Sequence, residues 1–203
     1  MDPLVVAQVD LRAIAHNLKQ VRNLIPKTTK IMAVVKANGY GHGAYEVAKV
    51  ALLEGASSLA VARLDEAIDL REKGICEDIL VFGYIPIYDI ELALKYNLIA
   101  TIFDKKQADE YRLRCRDLGS RLKVHIKVDT GMGRVGFVLS DKNHKKQAIS
   151  DVREVVVADE FSVEGIYTHF ACADEEDLSF SKIQLELFNE LMEEVKKNGY
   201  RGN

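Results

Sequence analysis

A lysine ends a short apolar run, and a glycine-rich segment follows it: Lys36-Ala37-Asn38-Gly39-Tyr40-Gly41-His42-Gly43. A lysine held at the end of a buried strand can have a lowered pKa, which suits Schiff-base chemistry. The three glycines let the backbone turn tightly behind it. The same residues also fit an unreactive lysine snorkelling out of a sheet end beside an ordinary glycine turn. A second polar set lies in Val124-His125-Ile126-Lys127-Val128-Asp129. Strand alternation puts His125, Lys127 and Asp129 on one face and the three apolar residues on the other. If the apolar face packs on helices, the polar triplet points inward, where a charged lysine is costly unless paired or chemically altered. In an open sheet the same strand could lie at the edge with a solvent-facing Lys-Asp pair. His169, in Tyr167-Thr168-His169-Phe170, ends another apolar run, as Lys36 ends the first.

Other patterns exclude chemistry. Gly131-Met132-Gly133-Arg134-Val135-Gly136 has the spacing G-x-G-x-x-G. A dinucleotide site needs its third glycine inside a helix. Here Phe137, Val138 and Leu139 follow, and the first helix-start signal is Ser140. Gly39, Gly41 and Ala44 match a looser form at a better helix start, but Arg63 stands where the next strand should end in an acid. NAD is therefore not expected. Cys76, Cys115 and Cys172 are widely spaced and odd in number, so they read as free thiols in a reducing compartment. No metal site is expected, and a cytoplasmic location follows.

The elements that must position these residues alternate in period. Asp10 caps a helix whose apolar stripe is Leu11, Ile14, Leu18, Val21 and Ile25. Strand-like runs follow at Ile31–Val35, Leu59–Ala62, Ile79–Phe82, Leu98–Ile102, Leu122–Val128 and Val163–Phe170. Helical stripes lie between them. One starts at Asp65, one runs from Asp89 to Tyr96, and Asp104 with Gln107 forms a capping box for another. The last, Ser179–Lys197, carries Ile183, Leu187, Leu191 and Val195. About six strand-helix units in a row argue for an α/β fold with a parallel sheet. A closed barrel and an open doubly wound sheet both fit this rhythm. An eight-unit barrel needs about 250 residues, so a chain of 203 would stop two units short, at Gly202 and Asn203. A net charge of -3 without a basic stripe gives no footprint for nucleic acid. His144, Lys145 and Lys146 read as a solvated loop or helix face. Met1–Asp10 is not a secretory signal, and Ile79–Tyr88, the most apolar stretch, is too short to span a bilayer.

Taken together, the segments resemble the alanine racemase family. The match is carried by Ala33-Val34-Val35-Lys36-Ala37-Asn38-Gly39-Tyr40-Gly41-His42-Gly43 and by Leu59-Ala60-Val61-Ala62 with Asp65-Glu66-Ala67. It continues through Lys127-Val128-Asp129-Thr130-Gly131-Met132-Gly133-Arg134-Val135-Gly136 and Tyr167-Thr168-His169-Phe170-Ala171. The resemblance implies a TIM-type (β/α)8 barrel that binds pyridoxal phosphate, incomplete here, with residues 1–203 as the N-terminal domain and a C-terminal β domain absent. It implies interconversion of L- and D-alanine through a pyridoxal phosphate aldimine by two bases, supplying D-alanine for peptidoglycan. The full-length protein would be a cytoplasmic homodimer without nucleic-acid or membrane partners.

The resemblance also implies residue roles. Lys36 matches the lysine that carries the cofactor and acts as one catalytic base. Tyr40 matches a tyrosine that helps hold the cofactor phosphate. Arg134 matches an arginine that hydrogen-bonds the ring hydroxyl, and Lys127 a lysine, often carbamylated, that positions it. His169 matches a histidine beside the ring. The opposite-face tyrosine belongs to the missing domain, so these residues alone are expected to racemise little or nothing. A non-catalytic pyridoxal phosphate-binding protein on the same barrel is the alternative.

Overall fold

The computed structural model describes residues 5–197, 199 and 200. Met1–Leu4 and the chain end at Gly202 and Asn203 lie outside the described residues. The chain forms two compact units, Met1–Gly83 and Tyr84–Asn203.

The first unit opens with α1 (Leu11–Leu24), where the Asp10 carboxylate accepts the Arg12 N–H as an N-cap. There follow β1 (Met32–Val34), a five-residue turn α2 (Lys36–Tyr40), α3 (Ala44–Leu53), β2 (Ser58–Val61), α4 (Leu64–Glu72) and β3 (Asp78–Val81). The three strands are parallel, with Ala33 opposite Leu59 and Leu59 opposite Ile79. Leu59, Ala60, Val61, Ile79, Leu80 and Val81 are buried on both faces, which is why these runs are apolar without alternation. β1 differs: Met32 and Ala33 are half-buried and Val34 is exposed. The α1 stripe is likewise only half covered, and α1 buries no residue fully.

The second unit contains α5 (Ile90–Lys95), β4 (Ile99–Ile102), α6 (Lys105–Asp117), β5 (Leu122–Asp129), β6 (Phe137–Val138), α7 (Lys142–Val156), β7 (Phe161–Tyr167) and α8 (Ser179–Lys197). β5 pairs in parallel with β4 and β7, and its last two residues also pair with β6. It is thus an internal strand, which removes the edge-strand reading of residues 124–129. Between Val124 and His125 the register against β7 slips by one residue. Gly165 then faces His125, and a Cβ there would fall 2.8 Å from the imidazole. The glycine is what admits this ring into the sheet interior.

Among the described residues six strand-helix units alternate behind α1, the order of a TIM-type α/β fold. Three start signals differ from expectation. Arg63, not Asp65, is the N-cap of α4. Asp141, not Ser140, caps α7, and the Asn143 N–H bonds its carboxylate. The run from Val163 to Phe170 begins earlier and stops at Tyr167, because the chain leaves the sheet there. His144 and Lys145 lie on α7, so the local basic run is a helix face, with Lys145 paired to Glu190. The three cysteines are free. Among the described residues no helix is long and apolar enough to cross a membrane.

Candidate active site

Lys36 lies two residues beyond β1, and the backbone behind it is unusual. Ala37, Asn38, Gly39 and Tyr40 have φ of 51, 54, 63 and 55°, followed by Gly41 at 83°. This is a left-handed turn in which only Gly39 and Gly41 are free of the Cβ penalty, roughly 1–2 kcal/mol for each other L residue. The sequence accounts for the glycines but not for Ala37 and Tyr40. Such strain persists only where surrounding bonds over-determine the conformation. Here the Glu66 carboxylate accepts the Ala37 N–H at 2.6 Å and the N–H groups of Ala62 and Arg63 at 2.8 and 3.0 Å. Asn38 Oδ1 accepts the Ala44 N–H at 3.0 Å and so anchors the turn to the start of α3. Gly39 is buried, and a Cβ there would press on Ala44 at 3.2 Å. Lys36 Nζ stands 5.8 Å from the centre of the Tyr40 ring. Lys36 is half-buried and Tyr40 is 59% exposed, so both can meet a ligand.

In the second unit His125 is half-buried, whereas Lys127 and Asp129 are each only 4% exposed. Lys127 Nζ stands 5.3 Å from the centre of the Tyr167 ring. Burial first, and the neighbouring Arg134 second, hold its pKa below that of an ordinary lysine. Asp129 Oδ1 accepts the N–H groups of Gly131 and Gly133 at 2.8 and 3.1 Å, and Oδ2 accepts that of Arg134 at 2.9 Å. Burial pushes the Asp129 pKa up, but these three bonds and Lys127 outweigh it and leave it below the usual carboxylate range. One carboxylate thus folds the whole Gly131–Arg134 turn. The turn delivers Arg134 toward His169, with Nη2 3.5 Å from the imidazole Nδ1. His169 lies two residues beyond β7, as Lys36 lies two beyond β1.

The G-x-G-x-x-G spacing serves packing. A Cβ on Gly136 would lie 2.7 Å from the Val128 carbonyl carbon and 2.8 Å from the Asp129 nitrogen. Its absence lets β6 close onto β5, and no helix follows until α7. Tyr167 donates to or accepts from Thr101 at 3.2 Å, and burial pushes its hydroxyl up to about 12. Among the described residues no group of three or more His, Cys, Asp or Glu could hold a metal ion.

The structure therefore joins Lys36 with Tyr40 in one unit, and Lys127, Arg134 and His169 in the other. Sequence reading quoted Glu66 only as part of a motif and missed Gln184 on α8. A glutamine at an inward helical position was the one available signal for the latter. In the first unit a lysine at a strand end beside an exposed phenol suits an aldehyde, and in the second an arginine beside an imidazole suits an anionic or phenolic oxygen. These groups are presented by backbone held rigidly from behind.

The family model described as "Alanine racemase, N-terminal domain" matches residues 9–203. The alanine racemase of Carboxydothermus hydrogenoformans is 45% identical over 193 residues, 95% of this chain and 50% of that protein. Among solved structures, alanine racemase from Bacillus anthracis with bound L-Ala-P has 41% identity and a TM-score of 0.82. It covers 94% of this chain and 48% of its own. The histidine racemase of Leuconostoc mesenteroides has 30% identity and a TM-score of 0.79, covering 89% and 47%. The chain thus spans about half the length of the relatives it matches, and it belongs to the alanine racemase family through that family's N-terminal domain.

Proposed function

We propose that the protein racemises alanine with pyridoxal phosphate held on Lys36. The carrying observation is the left-handed turn that fixes Lys36 at the end of β1, in a chain of this family. Bound pyridoxal phosphate supplies an electron sink for the charge left when the Cα–H bond of an amino acid breaks. Lys36 Nζ would hold the cofactor between turnovers. As a free amine, Lys36 would take a proton from the amino acid's Cα on one face or return one there. By the resemblance, Tyr40 would help hold the cofactor's phosphate, Arg134 would donate to its ring oxygen and His169 would support its ring. Residues 1–203 act as the N-terminal barrel domain of a cytoplasmic homodimer, and the D-alanine product serves peptidoglycan. The match to a histidine racemase keeps other amino acids in view as substrates.

Lys127 is proposed to be carbamylated. Its neutral amine adds carbon dioxide and releases one proton, so a cation becomes an anion beside Arg134. The lowered pKa favours the neutral amine that this step needs. Native mass spectrometry that finds no added carbon dioxide, with a plain lysine in a crystal structure, would rule it out.

Racemisation needs a base on each face, and the resemblance places the second in a domain beyond these residues. The 203 residues by themselves should therefore exchange the α-proton of one alanine enantiomer while racemising little. With pyridoxal phosphate in deuterium oxide, NMR should show enantiomer-selective loss of the α-proton signal that disappears in Lys36→Ala. Exchange no faster than with free cofactor, or equal for both enantiomers, would contradict the proposal.

A further inference from the structure

Residue 184 faces inward on α8, where helical periodicity asks for a hydrophobe, yet it is a glutamine with no exposed surface. The expected stripe began at Ile183, which is instead about half exposed. A buried amide is unfavourable unless its hydrogen bonds are made, and here they are. Oε1 accepts the Ala171 N–H at 3.0 Å, while Nε2 donates to the His169 carbonyl at 3.0 Å and to Thr130 Oγ1 at 3.2 Å. A backbone donor and a backbone acceptor on opposite sides leave one orientation of the amide.

The bonds continue beyond it. Thr168 Oγ1 donates its single proton to the Val128 carbonyl at 3.1 Å. The 2.8 Å contact between Thr130 and Thr168 must then be a donation from Thr130. Donation thus runs from Gln184 through Thr130 and Thr168 to Val128, each step polarising the next. One helical turn before Gln184, Phe180 presses on Gly131, where a Cβ would fall 2.8 Å from the ring. Phe180 and Gln184 together grip the segments that follow β5 and β7. Those segments carry Arg134 and His169, which meet at 3.5 Å. Core filling does not explain the amide, since Leu or Met would fill a similar volume without polar atoms.

We infer that Gln184 is a positioning residue: its amide ties the His169 backbone and the Thr130 hydroxyl into one arrangement, so that Arg134 and His169 are presented together to pyridoxal phosphate. This rests on the cofactor reading above. The role differs from general stabilisation, because it acts on two named side chains rather than on the helix as a whole.

The test compares Gln184→Leu with Val195→Ala, a cavity in the buried face of the same helix, three turns away. Three quantities are read: the thermal midpoint, the His169 ring signal by NMR, and the affinity for pyridoxal phosphate by visible absorption. Both variants should lower the midpoint. Only Gln184→Leu should broaden or move the His169 signal and weaken cofactor binding by about tenfold, as loss of a buried hydrogen-bond set implies. Gln184→Glu keeps the acceptor for Ala171 but puts an oxygen against the His169 carbonyl, so it serves if the leucine variant fails to fold and should move the same two readouts. If the Gln184 variants leave both readouts at wild-type values, or Val195→Ala moves them equally, Gln184 is only a core residue and the inference is wrong. If the wild type binds no pyridoxal phosphate, the cofactor reading fails separately, and the His169 signal alone decides the inference.

Discussion

Asp129 and Lys127 sit two residues apart on one strand face, and both have lowered pKa values for different reasons. For Asp129 the backbone N–H bonds outweigh burial. A carboxyl held below 3.8 adds stability that is present above that value and lost as pH falls through the folded pKa. Asp129→Asn should cost about 1–3 kcal/mol at neutral pH. Denaturation measured against pH should show it losing less stability than the wild type below pH 3.8. For Lys127, burial and Arg134 make the folded state bind its proton less tightly than the unfolded state does. A plain Lys127 therefore opposes folding below its folded pKa, and stability recovers as pH rises from there to 10.5. In buffer free of carbon dioxide, Lys127→Met should raise stability at neutral pH, with the gain fading toward pH 10.5. A carbamylated Lys127 reverses the sign, because Arg134 then loses an anionic partner, so urea titration with and without bicarbonate separates the two states. The positions of Lys36, Lys127 and His169 were legible because strand ends and alternation are local, whereas Arg134, in the turn beyond β5, came only through the resemblance. Glu66 and Gln184 were not, since the Glu66 carboxylate bonds an amide 29 residues earlier and Gln184 bonds groups 13 to 54 residues away.

At the scale of elements, the left-handed turn and the β5–β6 contact carry the site. Ala37→Gly removes a Cβ from a residue at φ 51°. Relief of about 1–2 kcal/mol is partly offset by greater freedom of the unfolded chain, so a net gain of up to about 1 kcal/mol is expected in chemical denaturation. A loss of stability would mean that the turn is not left-handed. Gly136→Ala goes the other way, because its Cβ would meet the backbone of Val128 and Asp129. A cost of about 2–4 kcal/mol is expected, and the β6 amides should lose protection from hydrogen exchange. The six parallel strands were legible from apolar runs bounded by turns. β6 was not, since two residues carry no periodicity. The cap of α4 was misplaced because Asp65 is a better cap by type than Arg63, whereas the Glu66 carboxylate at the third helical position accepts the Arg63 N–H and sets the start there.

The whole molecule divides into two compact units, the first with Lys36 and Tyr40 and the second with Lys127, Arg134 and His169. Composition gave no sign of this division, because no linker or change of residue type marks Gly83. Within the first unit, α1 buries no residue fully and Val34 on β1 is exposed. Much therefore depends on whether the first unit forms its lysine site in these residues. The most direct measurement is borohydride trapping: the protein is incubated with pyridoxal phosphate, reduced and digested, and the modified lysine is located by mass spectrometry beside Lys36→Ala. Selective labelling of Lys36, absent from the variant, is expected. Labelling scattered over surface lysines and unchanged by the substitution would contradict the assignment of Lys36 as the cofactor lysine.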